Sequence, residues 1–295
     1  AENGVINAST IVNNVANLVA GKMTANQSNL AINYTGGVLS GLTDTQELVL
    51  SNNVDGVFSL SGGVAETLKI TSQTGDNTVF INGSNGHTGV TVVGDKHLNL
   101  NLNGGNVVTT VDASGMTGGG LEVNGIVSAN GDLKITGSGF DDFVVLEDGL
   151  DALDTADGGA GTQDLLGFGN STSLNDAAFA SVKNFEILAT GTNSTLTLDL
   201  GANALAAGVN TVSAFGSNNV FDNGGMLDVN VQAAFTGPLT VNLDATFPGD
   251  PLPVHDGNHF VDGTAMTGKL TVNALSDSVD SKDTLRGGTG TTDEL

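Results

Sequence analysis

No cysteine occurs in the 295 residues, so disulfide bonds and thiolate metal sites are excluded. Tryptophan is also absent, tyrosine occurs once (Tyr34), and aromatic residues make up only 4 % of the chain. The core must therefore come from Val, Leu, Ile and Ala, with twelve Phe. Such a palette suits thin layers of repeated small side chains better than a bulky globular centre. Basic residues are scarce: 8 Lys and Arg face 32 Asp and Glu, a net charge of −24. That balance excludes a nucleic-acid interface, which needs a basic footprint, and an anionic membrane would repel it. Self-repulsion on this scale destabilises a compact state unless cations offset it; the bland alternative is a solvated, halophile-like acidic surface. No run reaches the roughly 18 apolar residues of a membrane span. At Ala1 no basic region precedes an apolar one, so an export signal is expected to have been removed or to lie outside this sequence.

What the chain does have is alternation. Leu68-Lys69-Ile70-Thr71, Val90-Thr91-Val92, Leu98-Asn99-Leu100-Asn101-Leu102, Leu196-Thr197-Leu198-Asp199-Leu200, Leu239-Thr240-Val241-Asn242-Leu243 and Leu270-Thr271-Val272 each read as a strand with one face buried and Thr or Asn outward. Clusters drawn from 43 Gly, with Asn and Asp, separate these runs and supply turns. Helical spacing is confined to Ile11, Val12, Val15, Leu18 and Val19, where β-branching argues against a helix, and to a turn or two over 176–182. The class is all-β.

The chain also repeats itself. Val111-Asp112-Ala113-Ser114-Gly115-Met116-Thr117-Gly118 returns as Val261-Asp262-Gly263-Thr264-Ala265-Met266-Thr267-Gly268, each copy followed by a strand. The stretch 154–166, with glycines 158, 159 and 161, returns as 283–295, with eight of thirteen positions identical. A duplicated unit in this order reads as part of a longer repetitive protein. Asp112 and Asp262 are candidate ligands, but caps on their own turns are favoured. Their like position before a glycine turn and a strand is what stacked solenoid coils would require.

The Gly- and Asp-rich segments resemble the calcium-binding repeat of RTX proteins, GGxGxDxΦx. In that repeat, glycine turns present carbonyls, an Asp adds a carboxylate, and an apolar residue begins an inward strand. Gly137-Ser138-Gly139-Phe140-Asp141-Asp142-Phe143 fits the end of the pattern, with Asp141 in the ligand position and Asp142 beside it. Gly158, Gly159 and Gly161 fit its beginning, but Gln163 stands where Asp is expected and Asp164 comes one residue late. The second copy shows the same shift, with Gly288 and Gly290 followed by Thr292 and then Asp293. One residue reverses the face of a strand side chain, so these turns are expected to bind through carbonyls and the nearby acids Asp151, Asp154, Asp157, Asp280 and Asp283. Lys96-His97-Leu98-Asn99-Leu100 with Val108–Gly118, and Gly158–Thr162 with Asn184-Phe185-Glu186-Ile187-Leu188, further resemble stretches of alphaproteobacterial RTX-type surface-layer proteins. The matching stretches cover residues 90–190 and 255–295.

That resemblance implies calcium (Ca2+) as the cofactor, type I secretion and a right-handed parallel β-solenoid with RTX-like calcium turns; β-sandwich modules are the alternative. The implied organisation is a first β module over 1–130, an RTX-like calcium segment over 131–170, a second β module over 171–275 and a second, truncated RTX-like segment over 276–295. The implied function is structural: a secreted component of a calcium-dependent surface layer on a bacterial cell. Its partner is itself, in a lattice, with cell-surface polysaccharide contacted through a region outside this sequence; nucleic acid and membrane insertion are not expected. The alternative is a segment of an RTX adhesin that binds glycans or surfaces.

Catalysis finds little footing. His255-Asp256-Gly257-Asn258-His259 has metal-like spacing, but Pro251, Pro253 and Gly257 forbid the helix that would align the pair, and the sequence around His87 and His97 shows no metal-like spacing. No G-x-S-x-G elbow is present. The single arginine, Arg286, leaves no basic cluster for an acidic-sugar lyase or epimerase site, and the chain is not expected to be an enzyme.

Overall fold

The computed structural model describes residues 4–8, 18–23, 28–34, 45–51, 55–61, 66–82, 87–102, 106–127, 131–191, 193–215, 225–245, 258–274, 279, 281–289, 293 and 294. They form a right-handed parallel β-solenoid with almost no helix. Its contacts fall into two units, Ala1–Val144 with Gly158–Gly161, and Val145–Asp157 with Thr162–Leu295.

In the first unit the chain runs through β1 (Gly4–Ala8), β2 (Leu18–Met23), β3 (Ser28–Tyr34), β4 (Thr45–Ser51), β5 (Asp55–Ser61), β6 (Thr67–Gln73), β7 (Asn77–Asn82), β8 (Gly89–Gly94), β9 (Leu98–Leu102), β10 (Thr110–Met116), β11 (Leu121–Ile126) and β12 (Lys134–Thr136). Odd strands pair in parallel with odd, β1-β3-β5-β7-β9-β11, and even with even, β2-β4-β6-β8-β10-β12. Each coil thus contributes one strand to each of two sheets. Leu18 and Val19, read as part of a possible short helix, open β2 instead; β-branched Val suits a pleated surface better than a helix. Ile11, Val12 and Val15 lie outside the described residues.

After β13 (Phe143–Leu146) come β14 (Thr155–Asp157), β15 (Leu165–Phe168), β16 (Thr172–Leu174), β17 (Val182–Lys183), β18 (Ile187–Thr190), β19 (Thr195–Leu200), β20 (Thr211–Phe215), β21 (Met226–Val231), β22 (Leu239–Ala245), β23 (Phe260–Asp262), β24 (Leu270–Asn273) and β25 (Thr284–Arg286). Within the second unit, β15-β18-β20-β22-β24 form one parallel ladder, β16-β19-β21-β23-β25 another, and β14 pairs with β17. The coil step is 22 residues between Glu47 and Lys69 but 31 between Asp199 and Asn230. The 31-residue coil holds a helix, α1 (Ala202–Ala206), and a shorter one holds a 3-10 turn at Asp176–Phe179.

Alternation becomes burial once coils stack. Leu68, Val90, Val111 and Ile135 stand in register along the even-strand sheet, and Val79, Leu100 and Val123 along the odd; all are buried. In the second unit Leu166, Leu188, Val212, Val241 and Val272 make one such ladder and Leu198, Val229 and Val261 another. Outward positions carry polar ladders: the side-chain amide of Asn124 reaches Asn101, and that of Asn273 reaches Asn242. Among the described residues no helix is long and apolar enough to cross a membrane.

A core truncation should therefore cost far more than an outward one. Leu100→Ala, between Val79 and Val123, is expected to lose about 2–5 kcal/mol in a denaturant melt, whereas Thr91→Ala on the outer face should stay within about 0.5 kcal/mol. Equal losses would place the ladder the wrong way round.

Candidate functional site

The RTX-like turns are built around acids that stand directly before strands. Asp142 precedes β13, Asp154 precedes β14, Asp164 precedes β15, Glu186 precedes β18 and Asp283 precedes β25. Asp293 precedes Glu294, which bridges in parallel to Thr271. A residue entering a strand has left the corner but sits against the previous coil. The side chains of Asp142, Glu186, Asp283 and Asp293 reach backbone N–H groups of the previous coil.

Asp142 shows the arrangement most fully. One carboxylate oxygen, Oδ1, accepts the N–H of Leu121, the first residue of β11, at 2.6 Å and the Ser138 hydroxyl at 2.9 Å. The other, Oδ2, accepts the N–H of Ser138 at 2.5 Å. Asp142 is only 2 % exposed, and its neighbour Asp141, which the repeat pattern puts in the ligand position, faces outward. Burial pushes the Asp142 carboxyl above its ordinary value; the Leu121 and Ser138 hydrogen bonds oppose the rise, and the Asp141 charge adds to it. Gly120 makes the approach possible, because a Cβ there would overlap the Asp141 carbonyl oxygen.

Asp293 repeats the scheme in the second unit: Oδ1 accepts the N–H of Leu270 at 3.1 Å, and Oδ2 that of Gly288 at 2.7 Å. Asp164 is fully buried at the equivalent place, and its own N–H donates to Glu186 Oε2 at 2.9 Å. Gly159, at φ +106°, passes so close to the Ser138 carbonyl that no side chain fits; Gly161 is half-buried. Asp154 accepts the Asp151 N–H at 2.7 Å while Asp151 accepts that of Leu153 at 2.7 Å, closing a short turn between them. Asp157 binds the next coil, taking the Lys183 ammonium at 2.8 Å and the Asn184 amide at 2.7 Å. Asp283 accepts the His259 N–H at 2.6 Å, and His259 Nδ1 in turn accepts the Leu227 N–H at 3.2 Å. His259 is thus a buried cap. Asp280, Gly290, His255 and Asp256 lie outside the described residues.

Asp112 and Asp262 cap their own turns, as favoured from sequence: each accepts the N–H and the hydroxyl of the residue two positions on, Ser114 or Thr264. The Thr264 hydroxyl, more than the adjacent Arg286, holds the Asp262 carboxyl below its ordinary value. Two further acids escaped the sequence reading. Asp176 accepts the N–H groups of Gly201, Asn203 and Ala204 at 2.8, 3.1 and 3.0 Å, and so caps α1 from the preceding coil. Glu186, already mentioned, is the other. The available signal for Asp176 was indirect: a Gly at the start of α1 can offer no side-chain cap of its own.

Calcium requires six to eight oxygens whose lone pairs converge on one point. Here Asp142 accepts two N–H groups and a hydroxyl, and Asp293 two N–H groups, so most acceptor sites of these inward carboxylates already face protein donors. Among the described residues no group of three or more His, Asp or Glu side chains gathers as a metal shell. The inward acids of the turns, as placed, do not fit a shared calcium site. A groove of about 220 Å³ beside β24 and β25 is mostly apolar, lined by Leu270, Val272, Leu285 and Arg286 with Asp293 and Glu294. Its acids are engaged with backbone N–H and with Lys269.

The raised Asp142 value has a definite sign. A proton binds more readily in the folded chain than in the unfolded one, so the contribution of Asp142 is most favourable at acid pH. It becomes less favourable as pH rises through its folded-state value. In denaturant melts at stepped pH, the stability of the native chain relative to Asp142→Asn should increase on acidification towards the ordinary carboxylate range. A difference that stays flat would show that the buried carboxylate carries no desolvation cost. Comparison with protein-family models, curated proteins and solved structures returns no match.

Proposed function

We propose that the chain is a structural segment of an extracellular bacterial surface layer of the RTX-like type, a solenoid block that assembles with copies of itself through calcium. The observation that carries this reading is the union of a regular parallel solenoid with 32 acids against 8 bases. Stacked coils repeat like positions along the solenoid, which suits repeated lateral contact between copies. Two such acidic flanks repel unless a divalent cation lies between them. Outward acids such as Asp132, Asp141 and Asp151 are exposed and supply the carboxylate oxygens that calcium prefers. Magnesium, which holds its waters and demands a tight octahedron, should bridge such loosely disposed groups poorly.

The expected behaviour is a monomer in chelator and larger, ordered species as calcium rises through the millimolar range, with magnesium much less effective. Size-exclusion chromatography with light scattering, followed by negative-stain microscopy, reads this directly. A chain that stays monomeric at high protein and high calcium would sink the lattice reading and leave a spacer or an adhesin stalk.

A further inference from the structure

The two turns in which the sequence places calcium reach the same hydrogen-bond pattern by different routes. In the first unit the turn donor and the aspartate, Ser138 and Asp142, are four residues apart; in the second, Gly288 and Asp293 are five apart. In each, one carboxylate oxygen takes the N–H of the residue that opens a strand of the preceding coil, Leu121 at the start of β11 or Leu270 at the start of β24. The other takes the N–H of the second residue of the glycine turn. Turns of unequal length converge on one carboxylate position, so that position, and not the spacing, is what the fold maintains.

The glycines fit the same account. A Cβ on Gly137 would stand 2.5 Å from Asp142 Oδ2, one on Gly287 would stand 2.8 Å from Asp293 Oδ2, and one on Gly120 would stand 3.3 Å from Asp142 Oδ1. At Gly287 the space left is taken by the carboxylate; at Gly137 and Gly120 the carboxylate shares it with the backbone carbonyls of Gly158 and Asp141. A carboxylate is the right group for it, because each oxygen is acceptor-only and a bidentate pair matches two N–H donors belonging to different coils.

We propose that Asp142 and Asp293 are metal-independent staples, doing inside these turns the cross-linking work that a calcium ion does in the repeat they resemble. The staples hold one coil to the next whether or not copies of the chain assemble through calcium on their outer faces.

The test is a substitution-by-calcium cycle on the full 295-residue chain. Native chain, Asp142→Asn and Asp293→Asn are melted by circular dichroism in EDTA and in calcium. Asn keeps the shape but sets an NH2 group against a backbone N–H. A drop of roughly 3–10 °C is expected for each variant, equal in the two media. A metal ligand behaves otherwise: its loss shows in calcium and vanishes in EDTA, and that result would overturn the proposal, as would no drop in either medium. Should Asp142→Asn fail to fold, hydrogen exchange of the native chain in EDTA decides. The Leu121 and Leu270 amides should be protected, and their exchange until calcium is added would refute the staple. Monomer melting and amide exchange are read separately from assembly, so either idea can fall alone.

Discussion

The hydrogen bond from a corner N–H to a carboxylate on a neighbouring coil is the interaction on which this solenoid rests. In a parallel solenoid the strands satisfy one another along the axis, but each corner leaves donors outside the ladder. An unpaired buried N–H costs about 1–3 kcal/mol, and the number of corners grows with the number of coils. Here Leu121, Ser138, Asp164, Gly201, Asn203, Ala204, His259, Leu270 and Gly288 all give their N–H to side chains, and every acceptor is Asp or Glu. Among the described residues Leu227 gives its N–H to His259, itself held by Asp283, and Thr195 gives its N–H to the Ser171 hydroxyl.

This changes the meaning of the acid excess. Read as composition, 32 acids against 8 bases calls for counter-ions. Read in the structure, part of the negative charge already faces positive ends of peptide dipoles, and only a few acids face bases: Glu47 with Lys69, Asp157 with Lys183, Glu294 with Lys269 and Asp262 with Arg286 among them. Backbone N–H groups substitute for lysine and arginine without adding side-chain volume to tight corners. The balance is not free of cost, as the raised Asp142 carboxyl shows. The acids left on the outer faces are the ones available to an external cation.

Strand positions were legible because alternation is local. Leu98–Leu102 and Leu196–Leu200 announce a buried and an exposed face with no knowledge of the partners. The caps were legible only where donor and acceptor lie two residues apart, as at Asp112 and Asp262. Which of Asp141 and Asp142 turns inward was not, because the choice is made by Leu121, a full coil away. Counting forward from the glycines makes Asp164 and Asp293 look one residue late. Counted backward from the strand, both stand in the same place as Asp142, and the apparent irregularity lies in the turn length. The α1 cap by Asp176 was hidden for the same reason, with 25 to 28 residues between acceptor and donors.

In most of these pairs the donor comes first along the chain and the acceptor one coil later: Leu121 before Asp142, Asp164 before Glu186, Leu227 before His259, His259 before Asp283, Leu270 before Asp293. A polypeptide delivered amino end first therefore presents each open corner before the group that closes it. Each of these five corners is closed by the coil that follows it. The Asp176 cap runs the other way, and there a coil arrives with its acceptor already waiting.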